Sequence, residues 1–162
     1  MTRTLRETLA MSRRDIMNDP QFDWARNRTV RRRLCIAYVA LTALGAVLLG
    51  FGTTDRNIWL IAGVALTLPV FILVIGSINA SVRGLTDIRT AELDEWQIAR
   101  RDAMFRLCWW PALLILGSAG YVGAMTGAAP GLKAALAFAA FFLAMYLPTL
   151  ALAWTYPEEP EP

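Results

Sequence analysis

Four stretches of this chain, residues 34–52, 58–78, 107–126 and 132–156, are apolar along their length and carry no formal charge apart from Lys133 near one end. A helix rises ~1.5 Å per residue, so ~20 residues cover the ~30 Å hydrocarbon core of a bilayer, and each stretch has that reach. Backbone groups in lipid must satisfy one another, which leaves helices or closed barrels, and uninterrupted apolar runs lack the period-two alternation of barrel strands. The expected fold class is all-α: an integral membrane four-helix bundle. A cleaved signal peptide fits the first stretch poorly, because 33 residues precede it and no convincing small-x-small cleavage site follows.

Orientation follows from the sixteen basic residues. Arginine and lysine accumulate in short cytoplasmic segments. Nine arginines precede the first span and five more (Arg83, Arg89, Arg100, Arg101, Arg106) lie between the second and third, whereas the other two connections hold only Arg56 and Lys133. Both termini and the central connection are therefore expected in the cytoplasm, with residues 53–57 and 127–131 as short external turns. Trp59 would anchor an external end, and Trp109, Trp110 and Trp154 the cytoplasmic ends.

Three parts are expected: an Arg-rich arm over residues 1–33, a four-span membrane domain over 34–156, and an acidic, Pro-rich tail over 157–162. The arm has a local charge of +5 and ends in Arg31-Arg32-Arg33 directly before lipid. Such a run attracts anionic headgroups at ~1 kcal/mol per residue, which makes these three arginines the expected lipid contacts. Leu5, Leu9, Ser12 and Ile16 form one stripe of a short surface helix that Asp19-Pro20 would break. Nucleic acid is not an expected partner, since the arm lacks both helix-turn-helix spacing and a core of its own.

The connection 79–106 balances five arginines against five acids within residues 80–106. Gly84 can end the helix continuing from the second span, and Thr90 can cap the next one, which predicts a cytoplasmic helical hairpin. Trp96 stands one turn from Arg100 and can stack on it. The segment Leu93-Asp94-Glu95-Trp96-Gln97-Ile98-Ala99-Arg100-Arg101-Asp102-Ala103 resembles the acidic-then-basic segment before a span in various small bacterial membrane proteins. Trp96 and Gln97 stand where those proteins tend to have arginine and glutamate. That resemblance implies the bacterial cytoplasmic (inner) membrane and brings no activity with it.

The span interiors lack Asp, Glu, Arg and His, the residues that mark ion pathways and proton relays in membranes. Small four-span multidrug exporters resemble the chain in size, yet their embedded glutamate has no counterpart. Gly117, Gly120, Gly123, Ala124 and Gly127 fall on one arc of span three, opposite a stripe of Ala137, Ala140, Ala144 and Ala151 on span four. The short turn between these spans favours their packing on each other, and the same small-residue motif would also serve a homodimer. Pro69 and Pro148 permit kinks that could line a path, and Pro111 a bend where span three enters the membrane. Cys35 and Cys108 should lie at similar depth, where small buried thiols are the plain reading and a redox pair the sharper one.

With no histidine, no phosphate loop, no nucleophile motif and no paired catalytic carboxylates, neither an enzyme nor a cofactor or metal site is expected. The leading expectation is a noncatalytic accessory or regulatory subunit that meets a protein partner, or a second copy of itself, through Asp94, Glu95, Trp96, Arg100 and Arg101. Tryptophan and arginine are the residue types enriched at binding hot spots. The alternative is an oligomeric channel or transporter component with kinked spans two and four lining the path.

Overall fold

The computed structural model describes residues 19–51 and 58–157. The stripe Leu5 to Ile16, the turn 53–57, the side chain of Trp59 and the acids of the tail lie outside the described residues. Within them the chain is helical, with helices α1 (Asp23–Arg26), α2 (Arg28–Phe51), α3 (Ile58–Ser81), α4 (Glu95–Met125) and α5 (Pro130–Thr155), and single 3-10 turns at Pro20–Phe22 and Thr90–Glu92. The four long helices are long and apolar enough to cross a membrane. Pro69, Pro111 and Pro148 lie inside α3, α4 and α5, whose helices continue past them.

Two helices begin well before their apolar stretches. α2 begins at Arg28, so Arg31, Arg32 and Arg33 are its first turns rather than part of a loose arm. α4 has 31 residues, about 46 Å at ~1.5 Å each, and projects beyond the lipid-length stretch by its first three turns. Its start is set by Asp94, not by Thr90. The Asp94 carboxylate accepts from the Gln97 amide nitrogen at 2.8 Å, and Gln97 Oε1 accepts from the Asp94 backbone N–H at 3.2 Å. This reciprocal capping box satisfies two donors that the helix itself cannot. Thr90 opens only the 3-10 turn.

The connection between α3 and α4 is therefore not a helical hairpin. α3 stops at Ser81, where the Arg83 N–H donates to Ala80 O (3.0 Å) and the Gly84 N–H to Asn79 O (2.7 Å), the paired bonds of a Schellman stop. The geometry requires a left-handed residue after the last helical turn, and both Arg83 (φ 55) and Gly84 (φ 65) adopt it. Glycine suits that conformation and arginine does not. Arg83→Gly is accordingly expected to stabilise the fold by about 0.5 to 1 kcal/mol, read as a higher midpoint in detergent unfolding.

Packing departs from a closed ring. α2, α3 and α5 meet one another, whereas the extensive contacts of α4 are with α5 alone. Beyond its first two turns, the less exposed positions of α4, Met104, Cys108, Ala112, Ile115, Ala119 and Gly123, recur at helical spacing and mark the side it turns toward the protein. The core is gathered at the end where the arginines cluster, here termed the basic end. It comprises Cys35, Tyr38, Ile78, Val82, Leu85, Leu150, Leu152, Ala153 and Tyr156. Tyr38 is fully buried, donates to Phe142 O at 2.8 Å, and has the rings of Phe71 and Tyr146 at 5.1 and 5.2 Å.

The close small-residue contact lies between α2 and α5. A Cβ added at Gly45 would meet the Phe138 ring at 2.8 Å, one at Gly50 would touch Ala135, and Ala140 and Ala144 are buried. By contrast, an added Cβ at Gly117, Gly120, Gly123 or Gly127 meets nothing within 4 Å. Packing of that stripe on span four is thus corrected: Gly117, Gly120 and Ala124 are exposed on the side of α4 away from its contact positions, Gly127 is exposed beyond the end of the helix, and Gly123, half-buried, alone falls toward the contact side. Cys35 and Cys108 are both buried free thiols, and Cys35 Sγ donates to Leu150 O at 3.8 Å.

Candidate functional site

At the basic end the C-terminus of α5 is held from two sides. A helix ends with carbonyls that have no intrahelical partner and with a partial negative charge, so cations are stabilised there. Arg31 of α2 donates from Nη2 to Tyr156 O at 2.7 Å, and its guanidinium lies 5.5 Å from the centre of the Tyr156 ring. Arg100 of α4 donates from Nη2 to Thr155 O at 2.8 Å. The same guanidinium stands 5.5 Å from the Tyr156 ring and 5.6 Å from the Trp96 ring, and these two rings meet edge-on at 6.1 Å. A third arginine, Arg32, covers Trp154 at 5.0 Å.

This clamp separates the three arginines expected at lipid headgroups. Arg31 is 1% exposed and turned into the protein, which removes it from the headgroup set. The physical cause is the α5 terminus beside it, which offers a carbonyl and an aromatic face. Arg32 is half-buried and Arg33 exposed.

The five residues expected to meet a partner are likewise divided. Asp94 holds the α4 cap. Arg100 holds α5, and Arg101 holds the connection, with Nη2 donating to Thr90 Oγ1 at 2.9 Å and Nε 3.5 Å from Asp102. Glu95 stays exposed, and Trp96 is 53% exposed despite its contact with Tyr156. Further along α4, Phe105, Trp109 and Trp110 are exposed, Trp110 by 70%. At ~100° per residue Trp96 and Trp110 fall on one side of α4, with Phe105 and Trp109 turned away from them.

A second polar group was not anticipated. Asn79 Nδ2 donates to Asp87 Oδ2 at 2.8 Å, tying the end of α3 to the connection. Among the described residues no group of three or more His, Cys, Asp or Glu is placed to hold a metal ion. The clamp residues Thr155 and Tyr156 also escaped the sequence reading, which placed Trp154 at this end as an anchor without its arginine; the attraction of arginine for helix C-termini was the available signal, with no indication of which terminus. The arrangement positions the end of α5 between α2 and α4. Comparison of the chain with protein-family models, curated proteins and solved structures finds no match.

Proposed function

We propose that this protein is a noncatalytic membrane subunit that docks a protein partner on α4, at the basic end. One observation carries the reading: α4 is fixed at its start by a capping box and by two arginines, yet among the described residues its extensive packing is on α5, and Trp96 is left half exposed. A tethered helix with a free aromatic side loses little conformational freedom on binding. Trp96, with Glu95 and Asp94 before it and Arg100 beneath it, supplies an apolar anchor inside a charged rim. In this reading the protein sits in the cytoplasmic membrane with both termini and the α3–α4 connection in the cytoplasm. The support is that fourteen of the sixteen basic residues fall in those segments.

The test is stoichiometric copurification from mild detergent, followed by affinity measurement with the isolated partner. Truncation of a hot-spot tryptophan costs about 2 kcal/mol or more, so Glu95→Lys combined with Trp96→Ala is expected to weaken binding about thirtyfold. Trp96→Phe keeps a ring against Tyr156 and separates lost docking from lost packing. Undiminished binding by the folded double variant, or isolation of the wild type solely as an ion-conducting self-oligomer, refutes the docking reading. The latter outcome establishes the channel alternative.

A further inference from the structure

The seam between α2 and α5 opens outward as an apolar groove. At the basic end it has a volume of about 530 Å³ and is lined by Ile36, Val39 and Ala43 of α2 and by Leu147, Ala151 and Trp154 of α5. Its basic-end limit is the pair Arg32 and Trp154, in cation–π contact at 5.0 Å. From Arg32 to Ala43 is eleven residues of helix, about 16 Å at ~1.5 Å per residue, close to half of the ~30 Å hydrocarbon core. The groove therefore has the depth of one leaflet.

Its mouth is cationic. Arg32 Nε is shielded and has no hydrogen-bond partner among the described residues. Arg28, one turn earlier on the same side of α2, is exposed, as is Arg33. On the opposite half of the same seam a second apolar groove of about 430 Å³ runs along Val47, Phe51, Leu132 and Leu136. Only the first groove ends in a cluster of arginines.

We propose that the basic-end groove is a binding site for one anionic phospholipid, with an acyl chain along the α2–α5 seam and the phosphate on Arg32, assisted by Arg28 and Arg33. Arginine matches phosphate through a fork of donors, and its guanidinium stacks on an aromatic face while those donors stay free. The Trp154 ring holds Arg32 at the level where chain gives way to headgroup, as interfacial tryptophans do. The site lies between α2 and α5, apart from the outward side of α4, so it stands or falls independently of partner docking.

The experiment is thermal unfolding of the purified full chain in neutral detergent with added dioleoyl-phosphatidylglycerol, dioleoyl-phosphatidylcholine or dihexanoyl-phosphatidylglycerol. A ligand that binds only the folded state raises the midpoint, and the long-chain anionic lipid is expected to raise it by about 5 °C. The zwitterionic and the short-chain lipids are expected to give less than a third of that shift. Each variant is compared with its own lipid-free midpoint. Arg32→Gln is expected to abolish the advantage of the anionic lipid, and Ala43→Leu with Ala151→Leu, which fills the groove, to abolish the shift from both long-chain lipids. Ala46→Leu, in the other half of the seam, should leave the shift intact. A full anionic advantage in Arg32→Gln, or equal shifts from the short-chain and long-chain anionic lipids, overturns the site. So does efficient Ala43→Cys crosslinking between two chains lacking Cys35 and Cys108, which would make the occupant a second copy.

Discussion

Arg31→Met is expected to lower the stability of the folded protein by about 2 to 3 kcal/mol, the range for a buried hydrogen bond from a charged donor. Arg33→Met, two residues on, is expected to stay within about 0.5 kcal/mol, as exposed substitutions do. Methionine keeps most of the apolar stem, so the difference reports the guanidinium itself. Arg31 is 1% exposed and donates to Tyr156 O, and Tyr156 is itself only 8% exposed. Water therefore reaches the abandoned carbonyl poorly, and the end of α5 loses both its hydrogen bond and the cation facing its dipole. Unfolding in a denaturing detergent series measures the difference, and hydrogen exchange at Thr155 and Tyr156 should accelerate in Arg31→Met alone. Equal midpoints for the two variants would refute the clamp.

Two glycines give the second contrast. Gly45→Leu is expected to destabilise the protein by about 1 to 3 kcal/mol, because its added carbons enter the Phe138 ring, which already packs on Phe142 at 4.6 Å. Gly120→Leu is expected to leave the monomer unchanged, since its Cβ would meet no atom within 4 Å. Both residues sit in apolar helices, so the comparison isolates the neighbour. Midpoints from circular dichroism and the oligomeric state from size exclusion in detergent are the readouts. Destabilisation by Gly120→Leu without a change in oligomeric state would contradict the placement of α4.

What was legible in the sequence was what a single helix determines. Each long helix covers its apolar stretch to within one residue, and Trp96 with Arg100, one turn apart, meets by local geometry. The Asp94 capping box was equally local, present as Asp-x-x-Gln four residues beyond the expected cap Thr90. The pairing of helices was not legible. Lipid and a neighbouring helix are both apolar, so hydrophobicity cannot distinguish the glycines that touch Phe138 and Leu48 from those that touch nothing. The joining of Arg31 to Tyr156 across 125 residues depends on that pairing. It was hidden for the same reason, and with it the division of the arginine run into a buried clamp and an outward pair.

That the extensive contacts of α4 among the described residues are with α5 also has a consequence for biosynthesis. α4 leaves the ribosome before α5, and during that interval the helix it will pack against does not yet exist. Its contact side, Met104, Cys108, Ala112, Ile115 and Ala119, must meanwhile be sheltered by lipid or by the insertion machinery. α2 and α3 can already associate, so the chain matures in two steps. Arrival of α5 is the event at which Arg31 and Arg100 find their carbonyls, and it joins a preassembled pair to a waiting helix.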